Sequence, residues 1–184
     1  MKFISQSIPD VILIEPDIIS DNRGYFIETY KQNILNKFLG YKTEFIQDNE
    51  SKSFNGVLRG LHYQLYPFTQ AKLVRVVQGK VLVVAVDLRK KSKTFSKYVS
   101  QEICSVKKKQ LFIPRGFAHG FVVLSEVAIF NYKVDNYYSS KFERGIAFND
   151  KDLSIDWKIH QKSLIISDKD KKNPLLSKTK DLFE

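Results

Sequence analysis

The sequence predicts an all-β fold, a sandwich or barrel of many short strands. β-prone segments recur about every 8–12 residues, with turn residues between them. No stretch rich in Pro, Gly or Ser marks a linker, and no segment repeats. Residues 1–184 therefore read as one domain of ordinary size.

Taken in order, the first strands predicted are Val11 to Glu15, Tyr25 to Tyr30 and Thr43 to Asp48, each β-prone and bounded by turn residues. One helix is predicted over Gln32 to Leu39. There Ile34, Leu35, Phe38 and Leu39 form an apolar stripe, and Gly40 can end the helix. Leu73 to Val77 and Val81 to Val86, separated by Gln78-Gly79-Lys80, read as a hairpin turning at the glycine. Further strands are predicted at Lys97 to Ile103, Gln110 to Ile113, His119 to Leu124 and Val127 to Val134. From about Asp156 the chain is polar and irregular, an extension expected to wrap the β core, with a short helix after Pro174.

Composition narrows the function classes. Hydrophobic residues make up 43% and charged residues 27%, a globular mixture long enough to fold without staples. The single cysteine, Cys104, leaves no internal disulfide and suits a reducing cytoplasm. Asp10, Glu15 and Asp17 stand where a signal peptide would be apolar. Val81 to Val86, among the longest apolar runs, falls far short of the roughly 18 residues of a membrane helix. The expectation is a cytoplasmic protein with no membrane contact. The net charge of +10 comes mostly from short, scattered groups of lysine, without a helix to read nucleic acid. It suits attraction of a doubly phosphorylated small molecule better than a nucleic-acid partner.

Three histidines are present. His160 stands alone in the polar C-terminal segment. His62 lies in Leu58-Arg59-Gly60-Leu61-His62-Tyr63-Gln64, and His119 in Pro114-Arg115-Gly116-Phe117-Ala118-His119. Either could be a hydrogen-bonded core residue or a proton-transfer group, since imidazole titrates near neutral pH. The Pro-x-Gly-x-x-His pattern at 114 to 119 resembles the second motif of the cupin double-stranded β-helix, a jelly roll. In metal-binding cupins the first motif supplies a His-x-His pair. Here it would be His62-Tyr63-Gln64, and too few ligands remain for a catalytic metal, which needs about three from the protein. A metal-free cupin-type jelly roll with a few short peripheral helices is the reading.

Seven blocks in order carry a closer resemblance. They are Asp21 to Glu28, Gln47-Asp48-Asn49, Val57 to Gln64, Gln70 to Arg75, Ile113 to Leu124, Asn131-Tyr132-Lys133 and Ser167 to Asp170. With these, the sequence resembles the dTDP-4-dehydrorhamnose 3,5-epimerase family from Asp10 to about Leu176. The resemblance implies a cofactor-free homodimer acting on a dTDP-sugar. The resemblance also implies inversion of C3 and C5 of dTDP-4-dehydro-6-deoxy-D-glucose, in the service of dTDP-L-rhamnose synthesis. An epimerase of one carbon alone, a non-catalytic sugar-nucleotide binder and a metal-dependent oxygenase are the rival readings.

Residue by residue, the resemblance makes His62 the base, Tyr132 the opposing acid, Lys72 the stabiliser of the enolate oxygen and Asp170 the orienter of His62. Each role fits elementary chemistry. Imidazole has an ordinary pKa near ~6.5, a phenol can protonate a carbon, and a fixed cation beside a developing oxyanion lowers the barrier. Asp168 stands two residues from Asp170, and sequence does not separate the two. The family pattern places Arg23 and Arg59 around the diphosphate, with Glu28, Gln47 and Asn49 near the nucleotide. It offers Phe26 and Tyr138 for the thymine or sugar, and His119, Glu143 and Lys169 as further contacts; Asp48 comes with its motif. Phe26 and Glu28 share strand parity, as do Gln47 and Asn49, so each pair can face one cavity. Arg59 and His62 have opposite parity. For both to point inward, a bulge or kink is expected at Gly60.

Overall fold

The computed structural model describes residues 1–184. The strands in chain order are β1 (Lys2–Ser5), β2 (Ile12–Glu15), β3 (Ile18–Asp21), β4 (Gly24–Ile27), β5 (Gln47–Phe54), β6 (Val57–Gln64), β7 (Lys72–Gln78), β8 (Lys80–Asp87), β9 (Tyr98–Cys104), β10 (Gln110–Ile113), β11 (Phe117–Val123), β12 (Val127–Val134), β13 (Glu143–Gly145) and β14 (Ile165–Ile166). Two short helices accompany them, α1 (Gln32–Leu39) and α2 (Asp168–Lys171). The first sheet has the order β1-β2-β10-β7-β12-β5 and the second β13-β6-β11-β8-β9, with β14 parallel to β6. Strands β3 and β4 pair only with each other, as a separate ribbon. The two large sheets face one another as a jelly roll, the architecture expected.

Strand alternation explains how the layers close. Val74, Val76 and Phe130 of the first sheet share one core cluster with Val83, Ala85 and Phe121 of the second. The opposite face of the second sheet sends Leu58, Leu82, Val84 and Val122 into another cluster with Trp157 and Leu176 from the C-terminal segment. That segment wraps the sheet, as its sequence suggested. Trp157 is fixed by its indole N–H, which donates to the Phe148 carbonyl at 2.9 Å. Strand β8 is thus buried on both faces, which is why Val81 to Val86 reads as an unbroken apolar run rather than an alternation. Helix α1 has the bounds expected from its stripe and covers the outer face of the first sheet with Leu35.

Three expectations need correction. Strands β7 and β8 do not pair as a hairpin: β7 lies between β10 and β12 in one sheet, and β8 between β11 and β9 in the other. The turn at Gly79 hands the chain across the sandwich. Gly79 has φ of +80°, and a Cβ there would land on the Val127 carbonyl oxygen, so the crossing needs glycine. The strand expected at Thr43 to Asp48 begins only at Gln47 and runs on to Phe54. The strand expected over Tyr25 to Tyr30 ends at Ile27.

Candidate active site

Between the two sheets lies a cavity of about 520 Å³, lined among others by Arg59, His62, Lys72, His119 and Tyr132. A lobe of about 310 Å³ shares His62, Lys72 and Tyr132 with it and adds Gln47, Asn49, Tyr138 and Glu143. The first sheet supplies Tyr132 from β12 and Lys72 from β7, next to each other because Tyr132 pairs with Val74 and Val134 with Lys72. The second sheet supplies His62 from β6 opposite His119 from β11. The imidazole of His62 and the phenol of Tyr132 therefore enter the cavity from opposite walls.

The expected bulge is present. On β6 two residues separate Arg59 from His62, while on β11 only Gly120 separates their partners Phe121 and His119. Gly60 has φ of +128°, and its Cα packs against Gly120 so closely that a Cβ would strike the backbone. The extra residue switches the parity of the strand. Val57 and Arg59 face the cavity before it and His62 after it, while Leu58 and Leu61 enter the outer cluster.

The carboxylate partner of His62 is Asp170. Its Oδ1 lies 2.7 Å from His62 Nε2, and its Oδ2 accepts the Gly60 N–H at 3.2 Å. Ser167 caps helix α2, its Oγ accepting the Asp170 N–H at 3.1 Å. One turn then points Asp170 inward at 4% exposure, while the Asp168 side chain is 90% exposed and pairs with Lys171. Burial works to raise the Asp170 carboxyl, but the hydrogen bond and charge of His62 and the Gly60 N–H outweigh it and hold it below the usual range. An ionised Asp170 accepts from Nε2–H, which leaves His62 Nδ1 with its lone pair and no protein partner.

Other groups of the cavity are held in complementary protonation states. Burial pushes the Tyr132 phenol up, with Arg59 opposing, so it keeps its proton. Burial pushes the Lys72 ammonium down to about 8, with Glu143 opposing. His119 is 7% exposed, and burial with the nearby Lys72 and His62 holds it well below the ordinary imidazole value, hence neutral. Its Nε2 is buried without a hydrogen-bond partner. Burial also works to raise Glu143, but hydrogen bonds from Lys169 and Tyr138 outweigh it and keep the carboxylate charged.

Most of the expected site residues converge. Gln47 and Asn49 share one wall, as their parity implied, and are joined by a 2.8 Å hydrogen bond. Asp48 faces the other way and pairs with Lys133 at 2.7 Å, so its side chain is no part of the cavity, a correction that follows from strand alternation. Arg23, Phe26 and Glu28 do not line it either. Arg23 pairs with Asp21 on the β3–β4 ribbon, Phe26 is 63% exposed there, and Glu28 pairs with Lys31. Ser51 was missed: it lines the cavity with a buried, unpartnered Oγ. Its parity with Gln47 and Asn49 was the available signal. Gln64, read from sequence as a missing metal ligand, holds loops instead. Its amide donates to the Phe68 and Tyr137 carbonyls at 2.8 and 3.1 Å and accepts the Ser139 N–H at 2.6 Å. No three His, Cys, Asp or Glu side chains converge as a metal site.

A family model described as dTDP-4-dehydrorhamnose 3,5-epimerase matches residues 5–178. The dTDP-4-dehydrorhamnose 3,5-epimerase of Shigella flexneri is 51% identical over 92% of this chain and 93% of its own length. The crystal structure of the enzyme of that name from Elizabethkingia anophelis superposes with a TM-score of 0.95 at 48% identity, covering 98% of both chains. The Legionella pneumophila dTDP-6-deoxy-D-glucose-3,5-epimerase, solved in complex with dTDP-4-keto-L-rhamnose, also gives 0.95, at 42% identity over 100% of this chain and 97% of that one. The chain belongs to the dTDP-4-dehydrorhamnose 3,5-epimerase family and is an isomerase of that kind.

Proposed function

We propose that the protein inverts C3 and C5 of dTDP-4-dehydro-6-deoxy-D-glucose, giving dTDP-4-dehydro-L-rhamnose, by proton exchange across the cavity between its sheets. The carrying observation is the placement of the His62–Asp170 pair on one wall and Tyr132 with Lys72 on the other. The C4 ketone makes the hydrogens at C3 and C5 acidic. His62 Nδ1 takes one of them, and the electron pair of the broken C–H bond moves to O4 as an enolate. The Lys72 ammonium stabilises that oxygen, and Tyr132 donates its phenolic proton to the carbon from the opposite face. Solvent then restores both groups. Arg59 is suited to the diphosphate by its forked donors. Gln47, Asn49, Tyr138 and Glu143 of the smaller lobe, with Lys169 of the main cavity, are assigned to the nucleotide, and the neutral His119 and Ser51 to the sugar. The ketone supplies the acidity, so the reaction needs no cofactor. Residues 1–184 act as one unit, because Asp170 comes from the C-terminal segment. A sugar-nucleotide reaction of this kind suits the cytoplasm, and no helix of the structure is long and apolar enough to cross a membrane.

Turnover in D2O tests the reaction. Deuterium is expected at both C3 and C5 of the product, and label at only one carbon sinks the double inversion.

The same reading makes the protein a homodimer. The ribbon exposes Ile19, Tyr25 and Phe26 at 66%, 58% and 63%, an apolar patch that favours a partner surface. Arg23 and Phe26 then serve the cavity of the second copy. Separately purified Arg23→Ala and His62→Ala proteins, each inactive, are expected to recover about a quarter of full activity when mixed and reassembled, because half the dimers hold one complete site. A monomer in sedimentation, or mixing without recovery, overturns this arrangement.

A further inference from the structure

Asp170 owes its place to a helix of one turn, too short to hold itself, so its 2.7 Å contact with His62 must be set by what α2 packs against. The helix itself meets β6, and the segment that leaves it reaches Gly145 of β13, which pairs with His62 in the sheet. Its backbone φ is not in the left-handed region, so conformation does not demand glycine there. Space does. A Cβ on Gly145 would lie 2.3–2.4 Å from the carboxamide atoms of Asn173, too close for the side chain to stay where it is. Asn173 lies two residues past the end of α2, and its N–H donates to the Asp170 carbonyl at 3.3 Å. The Asn173 Nδ2 is buried and has no hydrogen-bond partner, so polar bonding of that nitrogen does not explain where the amide sits. One residue on, the Pro174 carbonyl accepts the Ala147 N–H at 2.8 Å and ties this end of the segment to the chain beyond β13.

We propose that Gly145 and Asn173 are positioning residues for the His62–Asp170 pair, their flat contact acting as the stop that sets how closely α2 approaches β6. The inference rests on the reading of His62 as base and Asp170 as its orienter. A methyl at position 145 forces the buried end of the Asn173 side chain to move, and on this proposal the segment carrying α2 moves with it. Asp170 Oδ1 is then expected to leave hydrogen-bond range of His62 Nε2, while the nucleotide contacts on the first sheet stay in place.

Steady-state kinetics of Gly145→Ala, alone and combined with Asp170→Asn, test the idea. Gly145→Ala is expected to lower kcat about tenfold or more with little change in KM, since a displacement near 1 Å at a catalytic pair can cost that much. Asp170→Asn alone lowers kcat, and adding Gly145→Ala to it is expected to lower kcat no further. The double variant Gly145→Ala/Asn173→Ala makes room for the methyl and recovers part of the loss. Full kcat in Gly145→Ala, or an equal further loss in the Asp170→Asn background, overturns the proposal. If Gly145→Ala does not fold, Asn173→Ala removes the stop from the other side, and an unchanged kcat there overturns it equally. Full activity in Asp170→Asn overturns the base reading and this inference together, whereas a loss in Asp170→Asn beside full activity in Gly145→Ala overturns the inference alone.

Discussion

Replacing His62 with alanine is expected to lower kcat by about 10³-fold or more and to stop deuterium entry from D2O at both C3 and C5, because general-base catalysis by one group supplies about 10²–10⁴. The argument is geometric. His62 is the imidazole whose Nε2 is committed to Asp170, leaving Nδ1 free in the cavity, and His119 on the facing strand has no carboxylate behind it. Tyr132→Phe separates the two faces of the reaction. His62 can still remove a proton from substrate and return deuterium to the same face, so labelled, uninverted substrate should accumulate while product formation falls by a comparable factor. The measurement is NMR of recovered substrate and product. Loss of exchange in Tyr132→Phe, or normal inversion in it, would remove Tyr132 from the role of acid. Unimpaired exchange in His62→Ala would remove His62 from the role of base.

Much of this site was legible in the sequence because strand parity is local. Gln47 and Asn49 face one cavity because they are two residues apart on one strand, and a clash of parity between Arg59 and His62 was enough to predict the bulge at Gly60. The same rule, applied one step further, reaches Ser51 and turns the Asp48 side chain away. Parity fails where partners are distant. The Gln78-Gly79-Lys80 turn has hairpin chemistry, yet its two strands lie in different sheets, since sheet membership depends on pairing with β10 to β12. Strand β5 was misplaced because its cavity positions are amide and hydroxyl residues, which hide the apolar alternation of an ordinary half-buried strand.

Two further features needed the folded molecule. Ser167 and Asp170 stand at the spacing of a helix cap, and that pattern could have announced α2. Choosing between Asp168 and Asp170 required knowing which side of a single turn meets Gly60, information that resides in β6. Arg23, Phe26 and Glu28 carry the family pattern, but one copy of the chain leaves them outside its own cavity. A motif states which side chains a family has in common, and it does not state where the fold of one chain puts them.

Lys72 should give kcat/KM an alkaline limb near pH 8, and Lys72→Met should abolish that limb together with about 10²–10³ of the rate at neutral pH, the usual cost of losing one oxyanion donor. Burial lowers the pKa to about 8 because the charged amine loses water that the Glu143 carboxylate does not fully replace. The ammonium is the form that stabilises an enolate oxygen, so activity falls tenfold per pH unit once pH passes that value. Stability runs the other way. The unfolded lysine titrates near ~10.4, so the folded state carries the whole penalty of a poorly solvated cation below about pH 8 and sheds it progressively toward pH 10.4. Removing the charge lifts that penalty, and Lys72→Met is expected to be more stable than the parent by about 1–3 kcal/mol at pH 7, allowing for partial exposure. Urea unfolding at pH 7 measures this, and a pH–rate profile in H2O measures the limb. An unchanged limb in Lys72→Met would assign it to another group. A destabilised but fully active Lys72→Met would mean that the lysine holds the fold and plays no part at O4.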